Sequence, residues 1–319
     1  MRSIPPLRFT PIFQPYPWGG RRLANWLTGA PASGPIAEAW IVSAEEKHPS
    51  RVEGGPLNGL TIADLIERFG SSLTGRAKCP SGRFPLLLKF LDARELLSVQ
   101  VHPNDEQAEQ LRPGTVGKTE AWVILQAAPG SKLYAGLKPG IDRRALEDAI
   151  RAERLPEVLH AFGPRPGDVV FVPAGTVHAI GAGLLLFEIQ QTSDNTFRLH
   201  DWGRGRPVHL AEGLACIDFQ RGPLGPISPL VETMIPRRER LLDCPYFRLW
   251  RIETERTFAV GAPGECRIAV VIGGQGELVS DQSSCPVGPG SAVLIPAELG
   301  QIEFRPNGKL TILECGLPL

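Results

Sequence analysis

Six histidines, at positions 48, 102, 160, 178, 200 and 209, are the natural place to look for chemistry, and two of them sit in a pattern. His102 closes the segment Ser98-Val99-Gln100-Val101-His102. Side chains of an extended strand alternate between faces, so Ser98, Gln100 and His102 share one face and the two valines the other. Lys118-Thr119-Glu120-Ala121-Trp122 repeats the arrangement, with Lys118, Glu120 and Trp122 on one face. Pro173-Ala174-Gly175-Thr176-Val177-His178 then places a second candidate histidine just beyond a tight turn. A polar face opposite an apolar one is also what a solvated strand shows, so alternation alone leaves both readings open. If the faces converge, Gln100, His102, Glu120 and His178 offer two nitrogen and two oxygen ligands. Such a set suits zinc or another borderline divalent cation, with positions left for water or substrate hydroxyls.

The elements that must position these residues are mostly strands. FPLLLKFL, LLSVQVHP, EAWVILQA, SKLYAGL, DVVFVPA, LLLFEIQ, FRLWRIE, RIAVVIGG, AVLIPA and KLTILEC are rich in Val, Ile, Leu and Phe, and are separated by Gly, Pro or Asp. Such a series suits a sandwich or barrel better than a parallel sheet, which needs a crossover helix between strands. Helices are expected over 60–69, over 104–111, and as two short pieces over 142–162, broken at Pro156. Gly167-Asp168-Val169-Val170-Phe171-Val172-Pro173 and Gly290-Ser291-Ala292-Val293-Leu294-Ile295-Pro296 share one form, each leading into an apolar strand. His178 lies five positions beyond the first proline and Gln301 five beyond the second. The chain thus reads as two related β-units with ligand chemistry kept in the first. The stretch 219–240, mixing proline, glycine and charge without a strand period, marks the expected boundary. The division is 1–225 for the metal-binding, catalytic unit with its helical insertions and 226–319 for a degenerate partner.

Basic and acidic residues both number 34, so the net charge is zero. That balance argues against a nucleic-acid or membrane-surface partner, while a small anion needs only a few local donors. The start lacks the apolar run of a signal peptide, and no uncharged apolar stretch is long enough to span a membrane. The six cysteines are scattered without a CxxC pair, which suits reduced thiols and a cytoplasmic protein.

His102, Glu120 and the Gly167/Pro173/Gly175/His178 spacing resemble the two motifs of the cupin superfamily, with Gln100 where a histidine usually leads the first. That Gln-x-His variant, with Phe84–Lys89, Leu97–Asp105, Lys118–Trp122, Gln191–Arg198, Pro17–Gly20 and Glu38–Trp40, resembles the blocks of type I mannose-6-phosphate isomerases in the same order. Asp201-Trp202-Gly203-Arg204 resembles their shorter bacterial branch. The resemblance implies a mainly β fold of tandem cupin (jelly-roll) barrels with a few short helices. It also implies one Zn2+ per chain on Gln100, His102, Glu120 and His178, an active-site Arg198, and a lysine, Lys118, acting in the site. Asp194 matches a family block as well. In longer relatives a histidine precedes the lysine, but here Gly117 does, so no role of that histidine carries over.

The implied reaction interconverts mannose 6-phosphate and fructose 6-phosphate by moving a proton between C2 and C1 through a cis-enediol. A redox-inert metal suffices as Lewis acid. Arg198 suits stabilisation of developing negative charge, and Lys118 needs burial to lower its pKa before it can act as a base. The sequence leaves the base open among Lys118, a carboxylate and a metal-bound water. Ser98 and Lys89 are candidates for the phosphate, and Trp18, Trp122 and Glu38 for the pocket wall. The remaining histidines read as structural or exposed. The expected partner is a small sugar phosphate, and the expected assembly a monomer or homodimer. A different cupin enzyme, such as an iron dioxygenase or another sugar isomerase, and a non-catalytic sugar-binding cupin are the alternatives. Gln100 disfavours the dioxygenase, and retention of all four ligand positions with Arg198 and Lys118 disfavours the binding protein.

Overall fold

Strand pairing in the computed structural model, which describes residues 3–280 and 283–319, is antiparallel throughout. A six-stranded sheet runs in the order Val169–Val172, Glu120–Ala127, Leu184–Gln191, Leu86–Ala93, Glu38–Val42, Ile12–Gln14. It faces a five-stranded sheet ordered Leu159–Phe162, Leu133–Leu137, His178–Ile180, Val99–Val101, Phe197–His200. Farther along, a seven-stranded sheet closes over a four-stranded one in the same manner. Neighbouring strands come from separate stretches of chain, as in a jelly roll, so the protein is mainly β, with two cupin barrels in tandem and a few short helices.

Period-two alternation explains how the barrels stack. In Leu184–Gln191, Leu185, Phe187 and Ile189 join Leu86, Leu88, Phe90, Ala121 and Val123 in one large apolar cluster. Leu241, Leu249, Ile268, Val270, Leu294 and Leu313 of the seven-stranded sheet complete it. Burying each such side chain is worth about 1.5–3 kcal/mol, so this seam is a major source of stability. The opposite face of the six-stranded sheet turns into the first barrel and carries Glu38, Lys89, Glu120, Trp122, Glu188 and Gln190, all buried. Strands that read as continuously buried therefore have one apolar and one functional face.

Local chemistry sets the helices. Ile62–Phe69 begins at a reciprocal cap, in which the Thr61 hydroxyl accepts from the Asp64 amide at 3.1 Å and Asp64 accepts from the Thr61 amide at 2.8 Å. Asn104 and Gln107 do the same for Asp105–Leu111. The 142–162 stretch holds Arg143–Arg151 and the single turn Leu155–Val158, after which Leu159–Phe162 is a strand and not helix. Part of 219–240, which has no strand period, is the hairpin of Leu230–Met234 with Arg237–Asp243. Its pairing is dressed with charges such as Arg238–Glu232 at 3.3 Å, so no apolar alternation marks it. Leu7–Arg8 pairs with Ala292–Ile295, so the chain's beginning contributes to the C-terminal sheet. Among the described residues no helix is long and apolar enough to cross a membrane.

Candidate metal centre and active site

The strand Val99–Val101 buries its two valines against Phe197, Leu199 and Leu214 and turns Ser98, Gln100 and His102 into the barrel. His178 opens the neighbouring strand, directly opposite Gln100. The turn that delivers it needs Gly175, whose φ of +85° is costly for other residues and whose amide donates to the His102 carbonyl at 2.8 Å. A Cβ there would lie 3.1 Å from the Cys216 carbonyl oxygen. Glu120 begins the strand that faces them from the six-stranded sheet.

These faces converge. Glu120 Oε1 lies 3.3 Å from His178 Nε2, and Oε2 lies 3.5 Å from His102 Nε2. Among the described residues this is the one group of three or more histidine, cysteine or acidic side chains suited to a metal. The Gln100 amide nitrogen donates to His178 Nε2 at 3.2 Å, which puts the fourth expected ligand on the cluster. Each imidazole is oriented from behind: His102 Nδ1 donates to the Asn195 carbonyl and His178 Nδ1 to the Thr176 carbonyl, both at 2.9 Å. Carbonyl oxygen only accepts, so both Nε2 lone pairs point into the cluster, the arrangement metal sites use to fix the tautomer.

Protonation matches. Burial, reinforced by Lys118, pushes the His102 pKa down to about 3, and burial lowers that of His178. Burial works against the Glu120 carboxylate, but Lys118 and His102 overcome it and hold its pKa well below the usual range. Two neutral imidazoles and an ionised carboxylate are the states a divalent cation requires. Glu120 Oε1 is buried with no hydrogen-bond partner. The Lys118 ammonium is itself drawn to these donors, reaching His102 Nε2 at 3.0 Å and pairing with Glu120 Oε2. The residues thus fit a divalent metal.

A second feature of the lumen is a chain of alternating charges. Lys89 Nζ lies 3.3 Å from Glu38 Oε2 and 3.2 Å from Glu188 Oε1, which is 3.9 Å from Lys118 Nζ. Burial opposes the Lys89 charge, yet Glu188 and Glu38 raise its pKa. Burial, with Glu120 adding to it, raises that of Glu188. Glu188 Oε2 accepts from the Trp122 indole at 2.9 Å, while Oε1 is buried without a hydrogen bond. Sequence reasoning missed Glu188, although a lone charge on the same strand face as Gln190 in LLLFEIQ was a signal for it. The orienting carbonyls of Asn195 and Thr176 have no side-chain signature at all.

Arg198 stands opposite Gln100. Its Nη1 donates to the Pro207 carbonyl at 2.7 Å, and its Nε is buried without a hydrogen bond. Ser98 and Trp18 are buried, with Trp18 stacked on Tyr16 at 5.8 Å. Burial pushes the Tyr16 pKa up to about 12. Asp194 is exposed, in the irregular segment just before Asn195. Gly117 packs so closely on Asn104 that a Cβ would sit 2.6 Å from its carbonyl carbon, which leaves no room for a histidine. His200 meets Trp202 edge to face and His209 Nδ1 accepts from the Arg198 amide, both outside the cluster. In the second barrel Gln301 is exposed and the interior is filled by Ile252, Phe258, Val260, Val271 and Phe304.

Comparison with known proteins points the same way. Residues 7–121 match the family described as phosphomannose isomerase type I, catalytic domain. The mannose-6-phosphate isomerase ManA of Bacillus subtilis is 33% identical over 94% of this chain and 96% of its own length. The probable mannose-6-phosphate isomerase GmuF of the same organism is 30% identical over 94% and 96%. A crystal structure of mannose 6-phosphate isomerase from Bacillus subtilis superimposes with a TM-score of 0.90 at 29% identity, covering 97% of this chain and 99% of that one. Overall likeness in sequence and fold, with the histidine–glutamate cluster at the centre of the first barrel, places this chain in the mannose-6-phosphate isomerase family as an enzyme of type I.

Proposed function

We propose that the chain interconverts mannose 6-phosphate and fructose 6-phosphate with one zinc ion held by Gln100, His102, Glu120 and His178. The observation that carries the metal is the pair of buried imidazoles whose Nε2 atoms converge on Glu120 under the grip of two backbone carbonyls. When bound, the ion supplies a Lewis acid for the oxygens at C1 and C2. The remaining work falls to side chains. Moving a proton between C2 and C1 through a cis-enediol needs a base whose pKa is raised toward neutrality. Glu188 fits, with its pKa raised by burial and Oε1 unengaged by hydrogen bonds. Lys89 and Glu38 form the floor that holds Glu188 in place, and Lys118 balances Glu120 and Glu188. Arg198 supplies a fixed positive charge near Gln100 for the developing enediolate. Trp18 walls the pocket, Ser98 faces the phosphate, and Asp194 sits at the mouth.

The same reading assigns catalysis to residues 1–225 and a structural role to 226–319. Six free cysteines suit a reducing, cytoplasmic setting. A coupled assay for fructose 6-phosphate, run before and after chelation and after zinc is restored, tests the proposal. Activity lost to the chelator and regained with zinc is the expected result. Full activity in metal-free protein would sink the metal assignment, and none in zinc-loaded protein would sink the reaction.

A further inference from the structure

The loop after strand Phe197–His200 crosses the end of the pocket where strand Val99–Val101 begins. Trp202 Nε1 donates to the Leu97 carbonyl and Arg204 Nη1 to the Leu96 carbonyl, both at 2.7 Å. The loop is organised on Asp201, 4% exposed. Its carboxylate accepts from Arg204 Nη2 at 3.1 Å, from Arg206 Nε at 3.0 and 3.1 Å, and from Arg206 Nη2, and it lies 3.9 Å from Arg198 Nε. Three guanidiniums thus share one carboxylate, and the cluster keeps a positive excess. Arg204 directs Nε, Nη1 and Nη2 at protein oxygens. Arg206 directs Nε and Nη2 at Asp201, leaving Nη1 outside those bonds, and Arg198 Nε is buried without a hydrogen bond.

Register sets the distance. Arg198 lies opposite Gln100 and His200 opposite Val99, so Asp201 comes level with Ser98 or just past it. Ser98 is two residues from Gln100 on the same face, roughly 6–7 Å along a strand. A six-carbon chain with its carbonyl end at the His102–Glu120–His178 cluster carries its far end to about this place.

We propose that Asp201 is a positioning residue that gathers Arg204 and Arg206 at the phosphate-binding end of the pocket, beyond Arg198, with Arg206 selecting phosphorylated aldoses over free sugars. This rests on the isomerase reading for its substrate and on the loop geometry for its site. A guanidinium fork suits a phosphate bidentately, and fixing it beforehand on Asp201 lowers the ordering cost of binding.

The test uses zinc-loaded, full-length protein and inorganic phosphate as probe. Arg206→Ala should raise both the KM for mannose 6-phosphate and the inhibition constant of phosphate about 10- to 100-fold, with kcat changed far less. Arg206→Lys should recover part of the loss, since it restores charge without the fork. Asp201→Asn should weaken phosphate in the same direction by freeing both guanidiniums. Phosphate should also raise the Tm of the native protein but not that of Arg206→Ala, a readout that needs no turnover. A folded Arg206→Ala with KM and phosphate inhibition within twofold of the native enzyme overturns the assignment and leaves the isomerase standing. Native protein without turnover, but with Arg206-dependent protection by phosphate, overturns the isomerase reading and keeps the anion site.

Discussion

Glu188→Gln is the sharpest perturbation of the site, because it preserves shape and removes a charge. Glutamine still offers an oxygen to the Trp122 indole, which now donates to Glu188 Oε2 at 2.9 Å. It cannot take up a proton. If Glu188 carries the proton between C1 and C2, its loss should cut kcat by about 10²- to 10⁴-fold, or about 3–5 kcal/mol of barrier. Metal content should stay at one per chain, since Glu188 is not among the four proposed ligands. The structure adds a pH expectation. A general base works when ionised, and burial with Glu120 raises the Glu188 pKa. The acid limb of the kcat profile should therefore lie above the ordinary glutamate value of about 4.3. The sign for stability follows from the same shift. With the folded-state pKa raised, the folded protein favours the protonated form, so this group's contribution is full below the unfolded pKa and is lost as pH rises through the folded one. Glu188→Gln removes that loss, and its Tm should fall less than the native protein's across the same pH rise. The assay is turnover at saturating mannose 6-phosphate against pH, with metal analysis on the same samples. A metal-loaded Glu188→Gln enzyme within tenfold of native kcat would refute the base assignment.

His178→Ala should remove the metal and at least 100-fold of the activity together, read by metal analysis and the coupled assay; full activity would dissolve the site. Gly175→Ala forces a Cβ at φ +85° against the Cys216 carbonyl and should lower stability by about 1–2 kcal/mol, read by thermal melting, and weaken zinc retention during dialysis. Gln301→Ala, at an exposed position, should leave kcat and KM as they are, and a large loss would give the second barrel a catalytic part.

What the sequence disclosed follows from which signals side chains can carry. The ligand strands were legible because polar residues recur at period two between valines, and because a glycine turn announces His178. Glu188 sits in LLLFEIQ, where buried apolar residues on both faces hide the alternation: Leu185, Phe187 and Ile189 meet the second barrel, while Leu184 and Leu186 line the first. The carbonyls of Asn195 and Thr176 belong to backbone, which every residue has. The hairpin Leu230–Met234/Arg237–Asp243 is held partly by ion pairs such as Arg238–Glu232, so its strands lack apolar periodicity. Arg204 was legible only as part of the Asp201–Arg204 block and Arg206 not at all, because their place depends on the loop folding back onto Leu96 and Leu97.

The second barrel shows how the same framework is filled without a histidine–glutamate cluster among the described residues. Five residues past Gly167, Val172 pairs with Glu120; five past Gly290, Ile295 pairs with Arg267. One strand over, Glu188 stands between Trp122 and Lys89, and its counterpart Glu314 stands between Ala269 and Trp250. Arg267 thus occupies the place that Glu120 holds in the first barrel, bonded to Glu265 at 2.7 Å and stacked 4.3 Å over Trp250. A barrel interior cannot leave charges unpaired, so each position is either filled by apolar bulk or drawn into a balanced network. The second barrel takes the first course over most of its interior and the arginine–glutamate course at one end. The first barrel keeps Glu38, Lys89, Glu188, Lys118 and Glu120 in alternating sign. That network satisfies every charge but leaves one oxygen each on Glu120 and Glu188 without a hydrogen bond, and those two atoms are where a cation and a substrate proton are expected to go.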